Sequence, residues 1–335
     1  MKKKILVIIT VAISLTIISC NTKNEEKYKS LPKELADICI EIDKNPSDAN
    51  LYLKRSQYYI GKKQLDSAFS DAFKALKLDS SDSKYYRQIS DIYFMRAEFE
   101  SSEDILERAI VINPKDIEAL MKLAELQLYY KRYKEMDEYL NKALDIDQRN
   151  PKAFFMRGIS AKEKMDTNNA IRNFQMSVDQ DPNYYDAYIQ LGLIFHLKHN
   201  KIALDYYNNA LNVRPKSIEA LYNSAMFYQE TGEIQKAIDK YMMILQIDSK
   251  NKVANHNIGW INLEIKNNYE EAIKYFSASI SIDLQYVEAI YNRGLSYEKL
   301  KKYDLARKDY LKAININPEF PLAKEGIERL NKARR

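Results

Sequence analysis

The sequence predicts an all-α fold made of repeated helical hairpins, and three observations support that prediction. Apolar and small residues recur at helical spacing in two blocks within Val287–Phe320, and Lys301–Asp304 separates the blocks. Related segments recur about every 34 residues from Ala49 onward. The composition agrees, because only 7 of the 335 residues are glycine and 30% are charged.

The segment Val287–Phe320 indicates why each repeat forms a helix–turn–helix hairpin. Pro318 ends the second block, because proline cannot continue a helix and disfavours helix in the residue before it. Gly294 in the first helix and Ala306 in the second are small where two backbones come close. Tyr310 is large where the remaining gap must be filled.

Eight repeats of this kind are predicted over residues 49–320. They run over residues 49–82, 83–116, 117–150, 151–184, 185–217, 218–251, 252–286 and 287–320. The eighth residue of every repeat is small: Ser56, Ser90, Ala124, Gly158, Gly192, Ala225, Gly259 and Gly294. Repeat five lacks one residue near Asn200, and repeat seven carries one more around Asn267-Asn268.

These positions resemble the tetratricopeptide repeat family, and the resemblance covers Ala49–Phe320. It implies a right-handed superhelical solenoid in which the first helix of each repeat, helix A, lines a concave groove. It also implies a protein or peptide partner in that groove. Residues 31–48 are expected to form one helix before the repeats, and residues 321–335 a polar capping helix after them.

The N-terminal segment resembles the signal and tether of a bacterial lipoprotein. Lys2–Lys4 is positively charged, and Ile5–Ile18 is an apolar run of 14 residues, shorter than the roughly 20 that span a bilayer. The four residues that end at Cys20, Ile-Ile-Ser-Cys, resemble a lipobox. The resemblance implies a signal peptide over residues 1–19 and a lipidated cysteine with a polar tether over residues 20–30.

The lipobox resemblance also implies where the protein works. We expect a membrane-anchored lipoprotein with palmitate or a similar acyl chain on Cys20. It is expected in the periplasm or on the cell surface, with the outer membrane favoured. An ordinary secretory signal or membrane anchor with an incidental cysteine is the alternative.

Composition and motifs argue against several classes of function. The chain has 52 basic and 47 acidic residues, and loss of Lys2–Lys4 with the signal leaves 49 against 47, without a clustered basic face for nucleic acid. There is no glycine-rich phosphate loop, nucleophile elbow or Cys/His metal pattern, so we expect no enzyme and no cofactor. His196 and His199 are three residues apart, but no third metal ligand is evident.

Three arginines, Arg55, Arg157 and Arg293, stand where helix A usually carries an apolar residue, and the residue 16 positions after Arg157 is Asn173. Arg55 and Arg293 each have an aspartate 16 residues later, Asp71 and Asp309. Because a guanidinium fork suits a carboxylate, we expect structural ion pairs across the hairpins. The alternative is that the arginines bind acidic groups of a ligand.

The predicted partner-binding groove has an amide ladder and an apolar strip. The amides are the sixth residues of repeats five to eight: Gln190, Asn223, Asn257 and Asn292. The strip beside them includes Phe155, Ile189, Tyr222, His256, Trp260 and Tyr291. The alternative is that the amides are simply common at this position in the family and that the strip residues pack on neighbouring helices. Trp260 is the only tryptophan and the preferred anchor.

Repeat seven departs most from the pattern. Asn255 and Asn262 stand where a large side chain is expected between repeats. Because buried amides need partners, this junction is either a soft point or completed by a bound protein.

The sequence therefore predicts a lipid-anchored scaffold for protein–protein interaction that holds a peptide or protein in a concave groove, in envelope assembly. The alternatives are a surface-exposed receptor and a self-associating structural lipoprotein. The oligomeric state is left open.

Overall fold

The computed structural model describes residues 27–333, and these form helices and no strand. The all-α prediction is therefore confirmed. The signal sequence, Cys20 and the tether up to residue 26 lie outside the described residues. The α-helices are α1 (Lys33–Lys44), α2 (Ala49–Gly61), α3 (Leu65–Leu78), α4 (Ser83–Met95), α5 (Phe99–Ile112), α6 (Ile117–Tyr129), α7 (Tyr133–Ile146), α8 (Pro151–Glu163), α9 (Thr167–Gln180), α10 (Tyr185–Leu197), α11 (Ile202–Val213), α12 (Ile218–Glu230), α13 (Ile234–Ile247), α14 (Lys252–Trp260), α15 (Tyr269–Ile282), α16 (Val287–Lys299), α17 (Tyr303–Ile316) and α18 (Pro321–Ala333). A π-helical turn, Ile261–Ile265, continues α14.

The chain divides into two compact units, Met1–Lys164 and Met165–Arg335. In the first unit α1 precedes three complete hairpins, α2–α3, α4–α5 and α6–α7, and α8 follows them. In the second unit α9 precedes the four hairpins α10–α11, α12–α13, α14–α15 and α16–α17, and α18 follows them. Within each unit, consecutive helices pack side by side.

Side-chain caps fix where helix A begins in several repeats. Asp48 accepts a hydrogen bond from the backbone N–H of Asn50 at 2.9 Å, and Asn251 accepts one from Ala254 at 2.9 Å. Such a cap contributes about 1 kcal/mol, because it satisfies a backbone donor that the helix leaves free. Helix A therefore begins at the first residue of each repeat.

The turn from helix A to helix B has one backbone signature throughout. A residue with positive φ follows helix A in each of the eight repeats: Lys63, Ala97, Lys131, Met165, His199, Gly232, Asn267 and Lys301. Seven of these are not glycine, although a Cβ disfavours the left-handed region. In repeat five the missing residue shortens helix B instead of the turn, because four residues separate the end of α10 at Leu197 from the start of α11 at Ile202, and α11 is only 12 residues long.

In several hairpins of the second unit, an aromatic ring of helix B lies against a glycine of helix A. A Cβ added to Gly294 would lie 2.9 Å from the ring of Tyr310, and one added to Gly259 would lie 2.8 Å from Phe276. The other edge of the Tyr310 ring meets Gly326 of α18, where an added Cβ would lie 2.6 Å away. The last hairpin and α18 therefore pack on one buried ring.

Repeat seven accommodates its additional residue inside helix A, so the prediction of an insertion at Asn267-Asn268 is wrong. The N–H of Lys266 bonds to the carbonyl of Ile261 at 3.0 Å, which is a five-residue π-helical spacing. Asn267 has the usual turn conformation with φ 53°. The helix absorbs one residue as a π turn, and the following turn keeps its ordinary length.

The two buried asparagines of repeat seven are satisfied within their own helix. Asn255 Nδ2 donates to the carbonyl of Asn251 at 3.0 Å, and Asn262 Nδ2 donates to that of Ile258 at 2.8 Å. Their amide N–H groups therefore do not require a bound partner.

Arg55 and Arg293 are bidentate to the aspartates 16 residues later. Arg55 Nε and Nη2 each lie 2.7 Å from the Asp71 carboxylate, and those of Arg293 lie 2.8 and 2.9 Å from Asp309. Arg293 Nη1 also donates to Ser277 on α15 at 3.1 Å. Because its fork contacts α17 and α15 together, this arginine joins two repeats rather than facing a ligand.

We expect Asp309→Ala to destabilise the second unit by about 3 kcal/mol, because it leaves the Arg293 guanidinium mostly buried without its carboxylate. Thermal unfolding followed by circular dichroism measures the effect. The exposed Glu319→Ala is the control and should change the free energy of unfolding by less than about 0.5 kcal/mol. Equal losses in the two variants would contradict a structural role for the pair.

The left-handed turns give a stabilising prediction. Lys301→Gly should raise the free energy of unfolding by about 0.5–1 kcal/mol, because Lys301 has φ 59° and glycine has no Cβ to strain there. Lys308→Gly in the middle of α17 should lower it by about 1 kcal/mol. Chemical denaturation of both variants tests this, and a loss of stability in Lys301→Gly would refute it.

Candidate functional site

The predicted groove residues fall mainly on helix A of the second unit. Phe155 is on α8 in the first unit, half-buried, and is described separately from the others. The remaining nine are Ile189 and Gln190 on α10, Tyr222 and Asn223 on α12, His256, Asn257 and Trp260 on α14, and Tyr291 and Asn292 on α16. The candidate site is this helix-A face, called the amide face below.

Two residues of the apolar strip belong to the core instead of the groove. Ile189 is 2% exposed and Tyr291 is 8% exposed. The Tyr291 ring packs against Tyr310 and Phe320, with ring centres 5.6 and 5.5 Å apart. Both residues are buried by neighbouring helices, so the expectation that they contact a partner is corrected.

The other seven predicted residues of the amide face are half-buried: Gln190, Tyr222, Asn223, His256, Asn257, Trp260 and Asn292. Trp260 packs against two hydrophobic clusters, one around Tyr241 and one around Phe276. The tryptophan therefore helps to join repeats six and seven while part of its ring stays accessible.

Two of the predicted amides belong to a hydrogen-bond chain that crosses three repeats. Asn292 Nδ2 lies 3.1 Å from His256 Nε2, and His256 Nδ1 lies 3.3 Å from Asn257 Oδ1. Asn257 Nδ2 donates to the Tyr241 hydroxyl at 3.1 Å, and that hydroxyl donates to Gln229 Oε1 at 3.2 Å. The sequence analysis placed His256 in the apolar strip but did not predict that it connects the amides.

The chemistry of the amides fixes the direction of this chain. An amide nitrogen only donates, so His256 Nε2 must accept from Asn292. The proton of neutral His256 then sits on Nδ1, which donates to Asn257 Oδ1. Every bond runs from α16 toward α12, so the orientation of each amide depends on the histidine tautomer.

Burial keeps His256 neutral. Its ring lies between Phe276 and Tyr286, with ring centres 5.6 and 5.1 Å away. This desolvation lowers the histidine pKa below its usual range, while the hydrogen bond to Asn257 and the charge of Glu288 partly oppose the shift.

The helix-A face of the first unit has a different chemistry. Lys122 Nζ on α6 lies 2.6 Å from Asp91 on α4, and Arg87 lies 3.2 Å from Asp116. Lys152 on α8 pairs with Glu125 on α6. Charges on neighbouring repeats therefore neutralise one another along this face.

Exposed apolar side chains in the first unit escaped the sequence reasoning. Phe94, Met95 and Tyr129 are 49%, 53% and 59% exposed at the ends of α4 and α6. Phe99 joins them, with ring centres 5.2 Å from Phe94 and 4.5 Å from Tyr129. Phe94, Met95 and Tyr129 occupy the twelfth and thirteenth positions of their repeats, which also line the groove in the family pattern, so that pattern could have found them.

The two histidines that stand three residues apart, His196 and His199, have separate surroundings. His196 bonds to the Tyr207 hydroxyl at 3.2 Å and to Glu230 at 3.0 Å, whereas His199 lies in the exposed left-handed turn. Residues 27–333 contain no group of three metal-ligating side chains of the His, Cys, Asp or Glu type. No helix within this range is both long and apolar enough to cross a membrane.

Comparisons with known proteins agree with the repeat architecture. Tetratricopeptide repeat profiles match residues 117–150, 219–250, 253–286 and 287–320. The "Probable UDP-N-acetylglucosamine--peptide N-acetylglucosaminyltransferase SPINDLY" of Hordeum vulgare is 26% identical over 156 residues, or 44% of this chain and 16% of the relative. "Tetratricopeptide repeat protein 6" of Homo sapiens is 28% identical over 158 residues, or 46% of this chain and 30% of the relative. The chain thus spans less than a third of either relative's length.

A solved structure supports the fold. The C-terminal part of a repeat-containing protein from Cytophaga hutchinsonii superposes with a TM-score of 0.63 and 16% identity, covering 73% of this chain and 99% of that one. The four matched segments and the helical-hairpin architecture show that the chain contains tetratricopeptide repeats, which serve as scaffolds for protein–protein interaction.

Proposed function

We propose that the chain is a lipid-anchored scaffold that binds an extended peptide segment of a protein partner along the amide face of the second unit. The observation that carries this proposal is the hydrogen-bond chain through Asn292, His256 and Asn257, which holds amides in fixed orientations on a half-exposed surface. Such preorganisation lowers the entropy lost on binding.

The amides retain hydrogen-bonding capacity that suits a peptide backbone. Asn257 uses one N–H on Tyr241, and its second N–H has no partner among the described residues. Asn292 Oδ1 likewise has no partner within residues 27–333. A backbone that passes these residues offers a carbonyl to one and an N–H to the other. Trp260 and Tyr222 lie beside them for an apolar side chain.

The charge pattern favours the second unit over the first. In the first unit a peptide that bound Lys122 would have to break the contact with Asp91. In the second unit Asn223 has no hydrogen-bond partner among the described residues, so binding there breaks no contact. The amide face is therefore the better surface for an uncharged backbone.

We further propose that Cys20 carries the lipid and that the scaffold works in the cell envelope, at the outer membrane, without enzyme activity of its own. The support comes from the sequence, which ends a short apolar run at Ile-Ile-Ser-Cys. Each buried methylene contributes about 0.8 kcal/mol, so two or more acyl chains hold a protein on a membrane stably. In that setting the repeats would hold a partner during envelope assembly.

A second candidate function is self-association as a structural or surface lipoprotein. The patch of Phe94, Met95 and Tyr129 favours it, because exposed apolar clusters of this kind often mark protein contacts. The two functions depend on different residues in different units, so the same set of variants separates them.

For the peptide function, we expect that peptides selected from a random displayed library bind the chain, and that Asn257→Ala or Trp260→Ala weakens them about tenfold or more. Fluorescence anisotropy with a labelled selected peptide measures the affinity. The control Asn208→Ala changes an exposed residue on α11 and should leave affinity within about twofold. Loss of binding in Phe94→Ser but not in Trp260→Ala would move the site to the first unit.

For the anchor, Cys20→Ser should abolish incorporation of an alkyne-labelled palmitate and shift the protein from the detergent to the aqueous phase of a Triton X-114 partition. Cys39→Ser, which changes the other cysteine, should keep both signals. Unchanged labelling in Cys20→Ser would contradict the lipoprotein assignment.

A further inference from the structure

We propose that His256 is a positioning residue that sets which atoms of the amide face point outward, and that its protonation reverses the Asn292 amide and releases the bound peptide in mild acid. This inference rests on the proposed peptide-binding function of the same face. It adds a control by pH that the repeat pattern does not supply.

The neutral state follows from the hydrogen-bond chain. His256 Nε2 accepts from Asn292 Nδ2 at 3.1 Å, so the Asn292 carbonyl oxygen points away from the ring. That oxygen has no partner among the described residues and is not one of their buried unsatisfied atoms, so it faces water. It is available to accept a hydrogen bond from a peptide N–H.

Protonation places a hydrogen on Nε2 of the His256 ring and thereby changes its contact with Asn292. With a proton on Nε2, a ring donor faces an amide donor across a distance of 3.1 Å. Rotation of the Asn292 amide by about half a turn removes this conflict, because its oxygen then accepts from Nε2–H. The NH₂ group moves outward, where the peptide N–H had been bound.

The Asn257 end is unaffected by this change. Nδ1 carries a proton in both states and donates to Asn257 Oδ1 at 3.3 Å. The bond from Asn257 to Tyr241 therefore keeps its direction. Acid reverses one amide of the pair and leaves the other in place, which breaks the match to a peptide backbone without unfolding the face.

The groups around His256 place the pH at which its ring becomes protonated below neutrality. On the same helix as His256, Lys252 Nζ forms an ion pair with Asp283 Oδ2 at 2.6 Å. Glu288 on α16 contributes a negative charge. The other neighbouring groups are uncharged: the Phe276 ring on α15, the Tyr241 hydroxyl on α13 and the Tyr286 ring in the loop before α16. Desolvation outweighs the Glu288 charge, so the pKa lies below the ordinary value of about 6.5.

The folding stability should also depend on the protonation of His256. The unfolded chain binds a proton at His256 near pH ~6.5, before the folded chain does. The contribution of neutral His256 is therefore fully present above that pH and declines as the pH falls toward the lower folded pKa. His256→Gln should remove this part of the acid destabilisation, because glutamine does not titrate.

The experiment measures the affinity of a library-selected peptide at about pH 7.5 and about pH 5, on either side of an ordinary histidine pKa. The native protein should bind the peptide about tenfold more weakly at the lower pH. This loss corresponds to one hydrogen bond to the peptide that is replaced by two donors facing each other. His256→Gln should bind with an affinity that is constant within about twofold over the same range. The matched control His196→Gln removes the histidine bonded to Glu230 and should keep the native pH dependence.

A second readout does not need a peptide. Nitrogen-15 spectra of the histidine rings should show the Nδ1–H tautomer of His256 at neutral pH, assigned by its loss in His256→Gln. Asn292→Asp should raise the His256 pKa, because a carboxylate accepts from the protonated ring. The proposal is overturned by an Nε2–H tautomer at neutral pH, by a pH effect that persists in His256→Gln, or by native binding that is independent of pH. Failure to select any peptide, with the expected tautomer present, would instead reject the proposed peptide function.

Discussion

The close approach of helix A and helix B within each hairpin is the constraint on which the rest of the structure depends. At Gly294 there is no room for a Cβ against the Tyr310 ring, so the ring fixes both the distance and the rotation of α16. With that rotation, the sixth residue of the repeat, Asn292, stays half-buried on the side of α16 away from this contact. The chemistry of the amide face is thus a consequence of a packing contact on the opposite side of the same helix.

Repeat seven shows how strict this constraint is. Gly259 meets the ring of Phe276 as Gly294 meets Tyr310, although the repeat has one more residue. The π turn Ile261–Ile265 begins after Gly259 and ends before the left-handed turn, so it takes up the additional residue beyond the contact. His256 and Asn257 precede the π turn and keep their alignment with Asn292. An insertion between Asn257 and Gly259 would have rotated His256 and Asn257 away from Asn292.

The 34-residue spacing predicts the helix starts, the glycine–aromatic contacts and the arginine–aspartate partners, because each depends on residues a fixed distance apart within one hairpin. Burial of Tyr291 was not predictable in this way, because it depends on Phe320, which lies in the loop after the last hairpin. The role of His256 also escaped, since it depends on side chains from three helices. Asn267-Asn268 resembles a turn insertion in sequence, and only backbone hydrogen bonds distinguish that from a π turn.

The two helix-A faces differ in how they can respond to conditions. Pairs such as Lys122 with Asp91 are contacts between opposite charges. The amide face depends instead on a neutral imidazole, which mild acid protonates. Salt weakens the first kind of contact and acid reverses the second. The two helix-A faces of one chain therefore respond to different changes in their surroundings.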